Sequence, residues 1–189
     1  REHALVLKIK ESKKVEKIYC APGNAGIAQD AELVDINANE FDKLIEFAKN
    51  NKVGLTVVGP EDPLADGIVD EFEKAGLKVF GPNKAAAQLE GSKAFAKEIM
   101  LLNNVPTAFA VEFSDVDSAV NYINKKEAPY VIKAVGLCAG KGVVVTSDIK
   151  EATKFIKDCI NDKKFGDAGN RVLIEDYLDG EEASILAFT

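Results

Sequence analysis

A glycine-rich segment with two lysines is the part of the chain whose residue types most directly suggest chemistry. Residues 131–143 have the sequence VIKAVGLCAGKGV, which is typical of a strand, a flexible loop and a second strand. Glycine lets backbone N–H groups approach an anion closely, and Lys133 and Lys141 add compact positive charge. The segment therefore predicts a polyphosphate ligand. A plain β-hairpin with a flexible turn is the alternative.

This segment differs from two common phosphate-binding loops. Three residues separate Gly136 from Gly140, whereas a Walker A loop requires four, and Gly142 stands where Ser or Thr would hold magnesium. The element after it is expected to be a strand, whereas a P-loop leads into a helix. No G-x-G-x-x-G follows a predicted strand, which disfavours a dinucleotide oxidoreductase.

Two charged features lie at comparable distances on either side of Lys133. Lys93, in LEGSK, precedes it by forty residues, and the acidic run EDYLDGEE over 175–182 begins forty-two residues after it. Lysines neutralise phosphate charge, and a carboxylate accepts hydrogen bonds from hydroxyls. Taken alone, Lys93 is an ordinary surface lysine and the acidic run an ordinary strand edge.

Three Gly/Pro turns in the first half form a second candidate site. They are PGNAG at 22–26, GPEDP at 59–63 and GPN at 81–83. Ligands of open α/β sheets lie beyond the carboxyl ends of the strands, where these turns are expected. Their backbone N–H groups and Glu61 could line a site for a small polar ligand. Turns that only connect elements are an equally good alternative.

The elements that position these residues alternate between strand and helix. Strands are predicted over 17–21, 54–59 and 77–80, with helices at Arg1, over 39–50 and over 65–76. The run at 54–59 is nearly all apolar, as expected of a strand covered on both faces. Alternation of this kind implies βαβ units and a parallel sheet. A helix at Arg1 with no strand before it suggests that the first strand of the sheet is missing.

A domain boundary is expected between about Gly81 and Pro106. The helical stretch 85–102 is interrupted near 91–92, and a capping box at 114–117 opens the next helix. Strands over 130–134 and 143–146, a helix over 148–160, and final strands over 171–177 and 182–188 complete the prediction. The chain is thus expected to form two α/β lobes.

Composition excludes several classes of function. With 24 Lys and Arg against 31 Asp and Glu, the net charge of −7 disfavours a nucleic-acid or anionic-membrane surface. The longest uncharged stretch, 99–111, is too short for the roughly 20 apolar residues of a membrane helix. Three widely spaced cysteines without C-x-x-C spacing indicate reduced thiols, a cytoplasmic location and no cysteine-based zinc site.

The sequence resembles the ATP-grasp superfamily in four features: Lys93, Lys133, the glycine loop and the E-x-x-L segment at 175–178. Within it, the sequence is similar to the phosphoribosylamine–glycine ligase family over essentially its whole length. The motifs are REHAL, APGNAG, VVGPE-x-PL, FGP-x-x-x-AAQLEGSKAFAK, GLCAGKGVVV, FGDAG and IEDYLDGEEAS. The sequence departs from the family at Val135, where Asp or Ser is usual, and at Cys138, where Ala is usual.

The resemblance implies a fold and its limits. The expected fold class is α/β: a parallel-sheet, pre-ATP-grasp domain over 1–90 without its first strand, then a partial ATP-grasp domain over 91–189. A small α+β flap lobe is expected at about 113–178. The chain resembles an N-terminal fragment that is inactive alone, with the metal ligands and the glycine pocket beyond its C-terminal end. No metal ligand is therefore assigned within it.

The resemblance also implies roles for individual residues. The residues expected to bind ATP are Lys93, Lys133, Gly140, Lys141, Gly142, Glu175, Asp176, Leu178 and Glu182. In this scheme the lysines contact phosphates, 140–142 forms a mobile flap, 175–178 frames the adenine and Glu182 holds the ribose. The residues expected to face phosphoribosylamine are Arg1, Gly23, Asn24, Gly26 and Glu61, with its phosphate near the helix that begins at Arg1. His3 is expected to be a packed or capping residue, and Cys138 is not expected to be a nucleophile.

The implied activity is an ATP-dependent carbon–nitrogen ligation in purine biosynthesis. Glycine would be activated as glycyl phosphate and attacked by the amine of 5-phosphoribosylamine, so that no nucleophile or base of the protein is assigned. Mg²⁺ is implied with ATP. A monomer that binds neither nucleic acid nor membrane is expected. The alternatives are another ATP-grasp carboxylate–amine ligase, such as the purine-pathway carboxylases, and an ATP-binding module without turnover.

Overall fold

A computed structural model describes residues 1–138 and 140–185. The chain separates into two compact units, Arg1–Gly91 and Ser92–Thr189. No helix in the described part of the chain has both the length and the apolar character that crossing a membrane requires.

The first unit alternates short strands with helices, as the sequence predicts. In chain order its elements are α1 (Glu2–Lys10), β1 (Tyr19–Cys20), a 3-10 helix (Ile27–Gln29), β2 (Glu32–Leu33), α2 (Phe41–Asn50), β3 (Thr56–Val57), α3 (Glu61–Asp66), α4 (Ile68–Lys74), β4 (Val79–Phe80) and α5 (Lys84–Gly91). β1 pairs with β2 and β3 with β4, both in parallel. The predicted parallel pairing is thus confirmed, although each ladder holds only two residue pairs.

A small apolar cluster holds the second half of this unit together. Ala48 of α2 packs with Ile68, Val69 and Phe72 of α4, and Phe72 is only 1% exposed. The expected cover on both faces of 54–59 is not observed, because Leu55 is 57% exposed.

The single helix predicted over 65–76 is two helices in the structure. Gly67 ends α3 and precedes α4 with a φ of +99°, a left-handed conformation that residues with a side chain rarely adopt. The apolar spacing correctly predicts helical structure on both sides of Gly67, but the chain changes direction at this glycine.

The second unit is a four-stranded sheet with helices. Its elements are α6 (Lys93–Leu102), β5 (Ala110–Phe113), α7 (Val116–Ile123), β6 (Tyr130–Ala134), β7 (Val143–Thr146), α8 (Ile149–Ile160), a 3-10 helix (Gly166–Gly169) and β8 (Val172–Glu175). The sheet order is β5-β8-β6-β7, and all three pairings are antiparallel. β6 and β7 match the predicted bounds.

One face of this sheet packs on α7 and α8. Ile132 of β6 and Ile174 of β8 are fully buried with Ala119 and Ile123 of α7 and with Ile156 of α8. The strong amphipathic spacing of both helices explains this packing, since their apolar residues recur at intervals of three and four. The neighbouring side chains of β6 and β8 therefore point to the other face, which carries the charged residues described below.

Several details of the second unit differ from the prediction. Asp115, rather than Ser114, caps α7, because its carboxylate accepts a hydrogen bond from the Ser118 N–H at 2.8 Å. β5 is not predicted from the sequence because its segment AVEF has only four residues, although Pro106 precedes it and Ser114 and Asp115 follow it. A strand over 182–188 was predicted, but 182–185 form no strand and the remainder lies outside the described residues.

Candidate functional site

The centre of the candidate site is a buried ion pair between two neighbouring strands. Lys133 of β6 lies opposite Leu173 of β8, and Val131 lies opposite Glu175, which places Lys133 and Glu175 diagonally on one face. Lys133 Nζ donates a hydrogen bond to Glu175 Oε2 at 2.8 Å. The Glu175 side chain is only 7% exposed, whereas that of Lys133 is 29% exposed. The lysine therefore remains accessible while its partner is buried.

A second lysine faces the other oxygen of the same carboxylate. Lys97 Nζ lies 3.7 Å from Glu175 Oε1, and the Lys97 side chain is 11% exposed. The same ammonium donates hydrogen bonds to Thr107 Oγ1 at 2.5 Å and to the Ala108 carbonyl at 2.7 Å. Lys97 thus connects α6 to both β8 and the segment before β5.

Lys93 attaches the beginning of α6 to the beginning of the glycine loop. Its backbone N–H donates to the Val135 carbonyl at 3.0 Å, and its Nζ donates to the Gly136 carbonyl at 2.8 Å. Ser92 caps the helix by accepting a hydrogen bond from the Phe95 N–H. The helix therefore begins at the loop, with a lysine at the junction.

The glycine loop packs closely against the 3-10 helix of the FGDAG motif. The Gly136 N–H donates to the Ala168 carbonyl at 3.0 Å, and a Cβ at Gly136 would lie 2.7 Å from Ala168 Cα. No side chain fits at that distance, so the contact explains why residue 136 is glycine.

The loop closes as a hairpin between β6 and β7. The Ala134 N–H donates to the Gly142 carbonyl at 2.7 Å, and the Lys141 N–H donates to the Cys138 carbonyl at 2.9 Å. Gly142 is buried, whereas Gly140 and Lys141 are exposed. Ala139 lies outside the described residues. The loop is thus anchored at both ends, and Lys141 lies near its tip.

Burial raises the pKa of the Cys138 thiol, and the nearby charge of Lys93 opposes this effect. A thiol with a raised pKa is largely protonated near neutral pH, which makes it a poor nucleophile. The structure therefore gives no support to nucleophilic chemistry at Cys138.

In the segment after β8, Asp176 is bound to other parts of the second unit, whereas the residues further along are exposed to solvent. The Asp176 N–H donates to the Phe109 carbonyl at 2.9 Å, and the Asp176 carboxylate forms an ion pair with Lys126. Leu178 is 71% exposed, and Glu182 is also exposed. Within residues 1–138 and 140–185, no hydrogen bond or ion pair joins Glu182 to the lysines. The structure therefore brings together Lys93, Lys133, Glu175 and the glycine loop, but not Glu182.

In the first unit, the PGNAG turn is organised by Asn24. Its Oδ1 accepts hydrogen bonds from the Gly26 N–H at 3.0 Å and the Ile27 N–H at 3.1 Å. Gly23 has a φ of +75° and packs against Leu33. The amide oxygen of Asn24 is therefore already used within the turn.

Arg1 and Glu61, which were both predicted to bind substrate, form an ion pair with each other. Arg1 Nη1 lies 3.1 Å from Glu61 Oε2, and both side chains are exposed. The predicted residues of the GPEDP turn and of the first helix are thus neighbours in this unit.

His3 pairs with a carboxylate, a contact that the sequence did not reveal. Its Nε2 lies 3.1 Å from Asp30 Oδ2, and Lys10 Nζ lies 2.9 Å from Asp30 Oδ1. The hydrogen bonds from Lys10 and then His3 hold the pKa of Asp30 below its ordinary value. This arrangement agrees with a structural role for His3.

Among the residues that the structure describes, no group of three or more His, Cys, Asp or Glu side chains is placed to hold a metal ion. The lysine-rich surroundings of Glu175 do not form a cation site.

Family models match the chain along its whole length. Residues 1–90 match the model described as "Phosphoribosylglycinamide synthetase, N domain", and residues 91–189 match "Phosphoribosylglycinamide synthetase, ATP-grasp (A) domain". The chain belongs to the phosphoribosylglycinamide synthetase family. The predicted resemblance is confirmed.

Individual relatives agree with the family. The phosphoribosylamine–glycine ligase of Streptococcus pneumoniae is 54% identical over 189 residues, which are 100% of this chain and 45% of that protein. The crystal structure of the Thermotoga maritima phosphoribosylamine–glycine ligase has a TM-score of 0.73 and 28% identity, covering 95% of this chain and 42% of that one. The chain therefore spans less than half the length of these synthetase-family relatives.

A more distant structure shares only the fold. The biotin carboxylase of Campylobacter jejuni, solved as a β,γ-ATP complex, has a TM-score of 0.73 and 18% identity, covering 94% of this chain and 43% of that one. This match concerns the fold alone; the predicted ATP-grasp architecture is supported by the family model over 91–189.

Three residues that contribute to the candidate site, Lys97, Lys126 and Ala168, are not predicted from the sequence. Lys97 is one turn after Lys93 on the same helix, so the i, i+4 spacing in SKAFAK is a signal that could have identified it. Lys126 and Ala168 meet the site only through the folded chain, and their sequence context gives no such signal.

Proposed function

We propose that the chain supplies the nucleotide site and the amine-substrate site of an ATP-dependent ligase that joins glycine to 5-phosphoribosylamine. The observation that carries this proposal is the buried Glu175 carboxylate between Lys133 and Lys97, beside a glycine loop that Lys93 attaches to α6. Family membership favours this reaction over other ATP-dependent ligations, because the matched relatives are named phosphoribosylamine–glycine ligase.

The proposed ATP site uses the charged face of the second unit. Lys133 and Lys93 bind phosphate oxygens, with the backbone N–H groups of Gly140 and Gly142 and the side chain of Lys141 above them. The three charges of Lys133, Lys97 and Glu175 sum to one positive charge, which suits a polyphosphate. That the biotin carboxylase relative was solved with an ATP derivative agrees with this assignment.

The segment after β8 is assigned to the nucleoside. Its backbone at 175–178 reads the adenine edge, with Leu178 packing on the ring and Asp176 fixed by Lys126. Glu182 accepts hydrogen bonds from the ribose hydroxyls. The exposure of Leu178 and Glu182 leaves both side chains free for such contacts.

The first unit is assigned to 5-phosphoribosylamine. The turn containing Gly23, Asn24 and Gly26 faces this substrate with the backbone N–H groups that Asn24 Oδ1 does not accept, and Glu61 and Arg1 meet its polar groups. The exposed ion pair between Arg1 and Glu61 is available for exchange with a charged ligand, since exposed pairs contribute little to stability. On this basis 1–90 is the substrate-binding domain and 91–189 is the ATP-grasp portion.

The proposed reaction requires positioning and charge neutralisation rather than a covalent enzyme intermediate. The glycine carboxylate takes the terminal phosphoryl group of ATP, and the substrate amine then displaces phosphate to form the amide. The lysines stabilise the negative charge that develops on the phosphate oxygens.

Magnesium is proposed as the companion of ATP, and none of its ligands is assigned among the residues that the structure describes. The described residues offer no suitable cluster of metal ligands, so no step of the proposal depends on them for metal binding.

The free thiols of Cys20, Cys138 and Cys159 support a further proposal, a reducing and cytoplasmic location.

The test measures ADP release by the full-length natural polypeptide that contains this sequence. ATP, glycine and 5-phosphoribosylamine are supplied together, and each is then omitted singly. The proposal predicts that sustained ADP release stops when either glycine or 5-phosphoribosylamine is omitted. ADP release that is independent of glycine contradicts the ligase assignment, and substitution of bicarbonate for glycine would support a carboxylase instead.

A further inference from the structure

Lys97 is a buried charged group to which the proposed ATP contacts assign no role. Its side chain is 11% exposed, and its ammonium has three acceptors around it: Thr107 Oγ1, the Ala108 carbonyl and Glu175 Oε1. An ammonium has three N–H donors. Two donors of Lys97 therefore make hydrogen bonds within the protein, and the ammonium also faces Glu175 at ion-pair distance, so its position is set by protein groups.

The carboxylate of Glu175 is shared between two lysines of unequal exposure. Oε2 accepts a hydrogen bond from Lys133 at 2.8 Å, whereas Oε1 faces Lys97 at 3.7 Å. A single carboxylate balances only one of the two positive charges. Lys97 is enclosed, whereas Lys133 is more exposed to solvent. A negatively charged ligand that binds at Lys133 can therefore interact with the positive charge that Glu175 does not balance.

We propose that Lys97 is a positioning residue for nucleotide phosphate, acting through Glu175 on Lys133. Because Glu175 interacts with both ammonium groups, its negative charge does not fully neutralise Lys133 as long as Lys97 is present. Without Lys97, Lys133 is the one counter-charge that residues 1–138 and 140–185 place beside the buried carboxylate, and a phosphate must compete with it. This inference rests on the proposed ATP site.

The backbone supports the same role. Lys97 fixes the segment at 107–108, and the next residue, Phe109, accepts a hydrogen bond from the Asp176 N–H at 2.9 Å. The lysine therefore braces both the side chain of Glu175 and the main chain that follows it. The bond to Thr107 provides a control, since Thr107→Val removes one bracing contact without touching Glu175.

The experiment compares dissociation constants for ATP and adenosine by calorimetry on the full-length natural polypeptide. Lys97→Met is expected to weaken ATP binding about tenfold, a typical coupling for groups in one network, while adenosine changes less than about twofold. Lys97→Arg, which keeps the charge, is expected to stay within about threefold of the wild type, and Thr107→Val within about twofold.

A double-mutant cycle tests the route through Glu175. In a Glu175→Gln background, Lys97→Met is expected to change ATP affinity by less than about threefold, because the charge that couples the two lysines is gone. A tenfold loss that persists in this background overturns the proposal, since Lys97 then acts without Glu175. Equal losses for ATP and adenosine also overturn it, because they indicate a general structural defect.

Two further results separate this inference from the proposed function. If ATP binding depends on Lys133 but not on Lys97, only the role of Lys97 is overturned. If the wild-type polypeptide does not bind ATP, both proposals fail. Should Lys97→Met prevent folding, Lys97→Gln provides the same comparison, since its amide can still donate to Thr107.

Discussion

The buried pair of Lys133 and Glu175 leads to a stability prediction that needs no ligand. Within the part of the chain that the structure describes, Lys133→Met leaves the Glu175 carboxylate, 7% exposed, with the more distant Lys97 as its counter-charge. Replacing both members of the pair by methionine instead removes the charge together with its partner. The single substitution should therefore destabilise the second unit more than the double substitution does.

The magnitude follows from the geometry of the pair. Breaking a buried ion pair by removing one partner costs about 3–5 kcal/mol. Because Lys133 is 29% exposed and Lys97 remains 3.7 Å from the carboxylate, we expect a smaller loss, about 2 kcal/mol. Replacing both partners by apolar residues of similar volume is often neutral. The double variant also deprives the largely buried Lys97 of Glu175, but Lys97 keeps its hydrogen bonds to Thr107 and Ala108, so we expect a loss of about 1 kcal/mol, smaller than that of the single variant.

Native-state hydrogen exchange of the β6 and β8 amides measures this difference within the second unit. A loss of about 2 kcal/mol corresponds to exchange about thirtyfold faster for amides that open only on unfolding. The reasoning is refuted if the double variant is as unstable as Lys133→Met, because the unpaired carboxylate would then not be the cause.

Three further predictions concern other parts of the chain. Gly136→Ala places a Cβ 2.7 Å from a neighbouring backbone atom and should lower the free energy of unfolding in denaturant by about 2 kcal/mol. Gly54→Ala, with open space around it, is the control and should change that free energy by less than about 0.5 kcal/mol. Equal effects of the two substitutions would contradict the packing argument. The pKa of Asp30 is lowered in the folded chain, so its contribution to stability is present above the ordinary pKa of 3.8 and is lost as the pH falls through the folded value. The stability difference between wild type and Asp30→Asn should accordingly shrink between pH 7 and pH 3, and a constant difference would rule out this linkage. Burial raises the pKa of Cys159 to about 11, so Ellman's reagent at pH 8 should leave that thiol unmodified in the native chain; labelling as fast as that of free cysteine would show that the site opens readily.

The sequence predicted the second unit best where local signals were strong. β6, β7 and α8 have regular apolar spacing, and Asp148 caps α8 by accepting a hydrogen bond from the Lys150 N–H. β5 and the short β2 gave no comparable signal, since their pairing depends on partners distant in sequence. The break at Gly67 was missed because apolar periodicity continues across it.

The candidate site was predictable in its residue types but not in its contacts. Lys133 and Glu175 were identified as separate ligands of ATP, whereas the structure joins them directly. That ion pair depends on the antiparallel register of β6 and β8, which no local pattern encodes. For the same reason, the enclosure of Lys97 by Thr107 and Ala108 was not predictable from the sequence.

The most direct test of the central claim compares ATP and adenosine binding by the full-length natural polypeptide and by its Lys133→Ala variant. If the charged face around Lys133 binds nucleotide phosphates, the variant should bind ATP at least about tenfold more weakly while its affinity for adenosine changes little. Circular dichroism should confirm that the variant remains folded. Unchanged ATP affinity in a folded Lys133→Ala variant would contradict the account and identify the glycine segment as a plain hairpin.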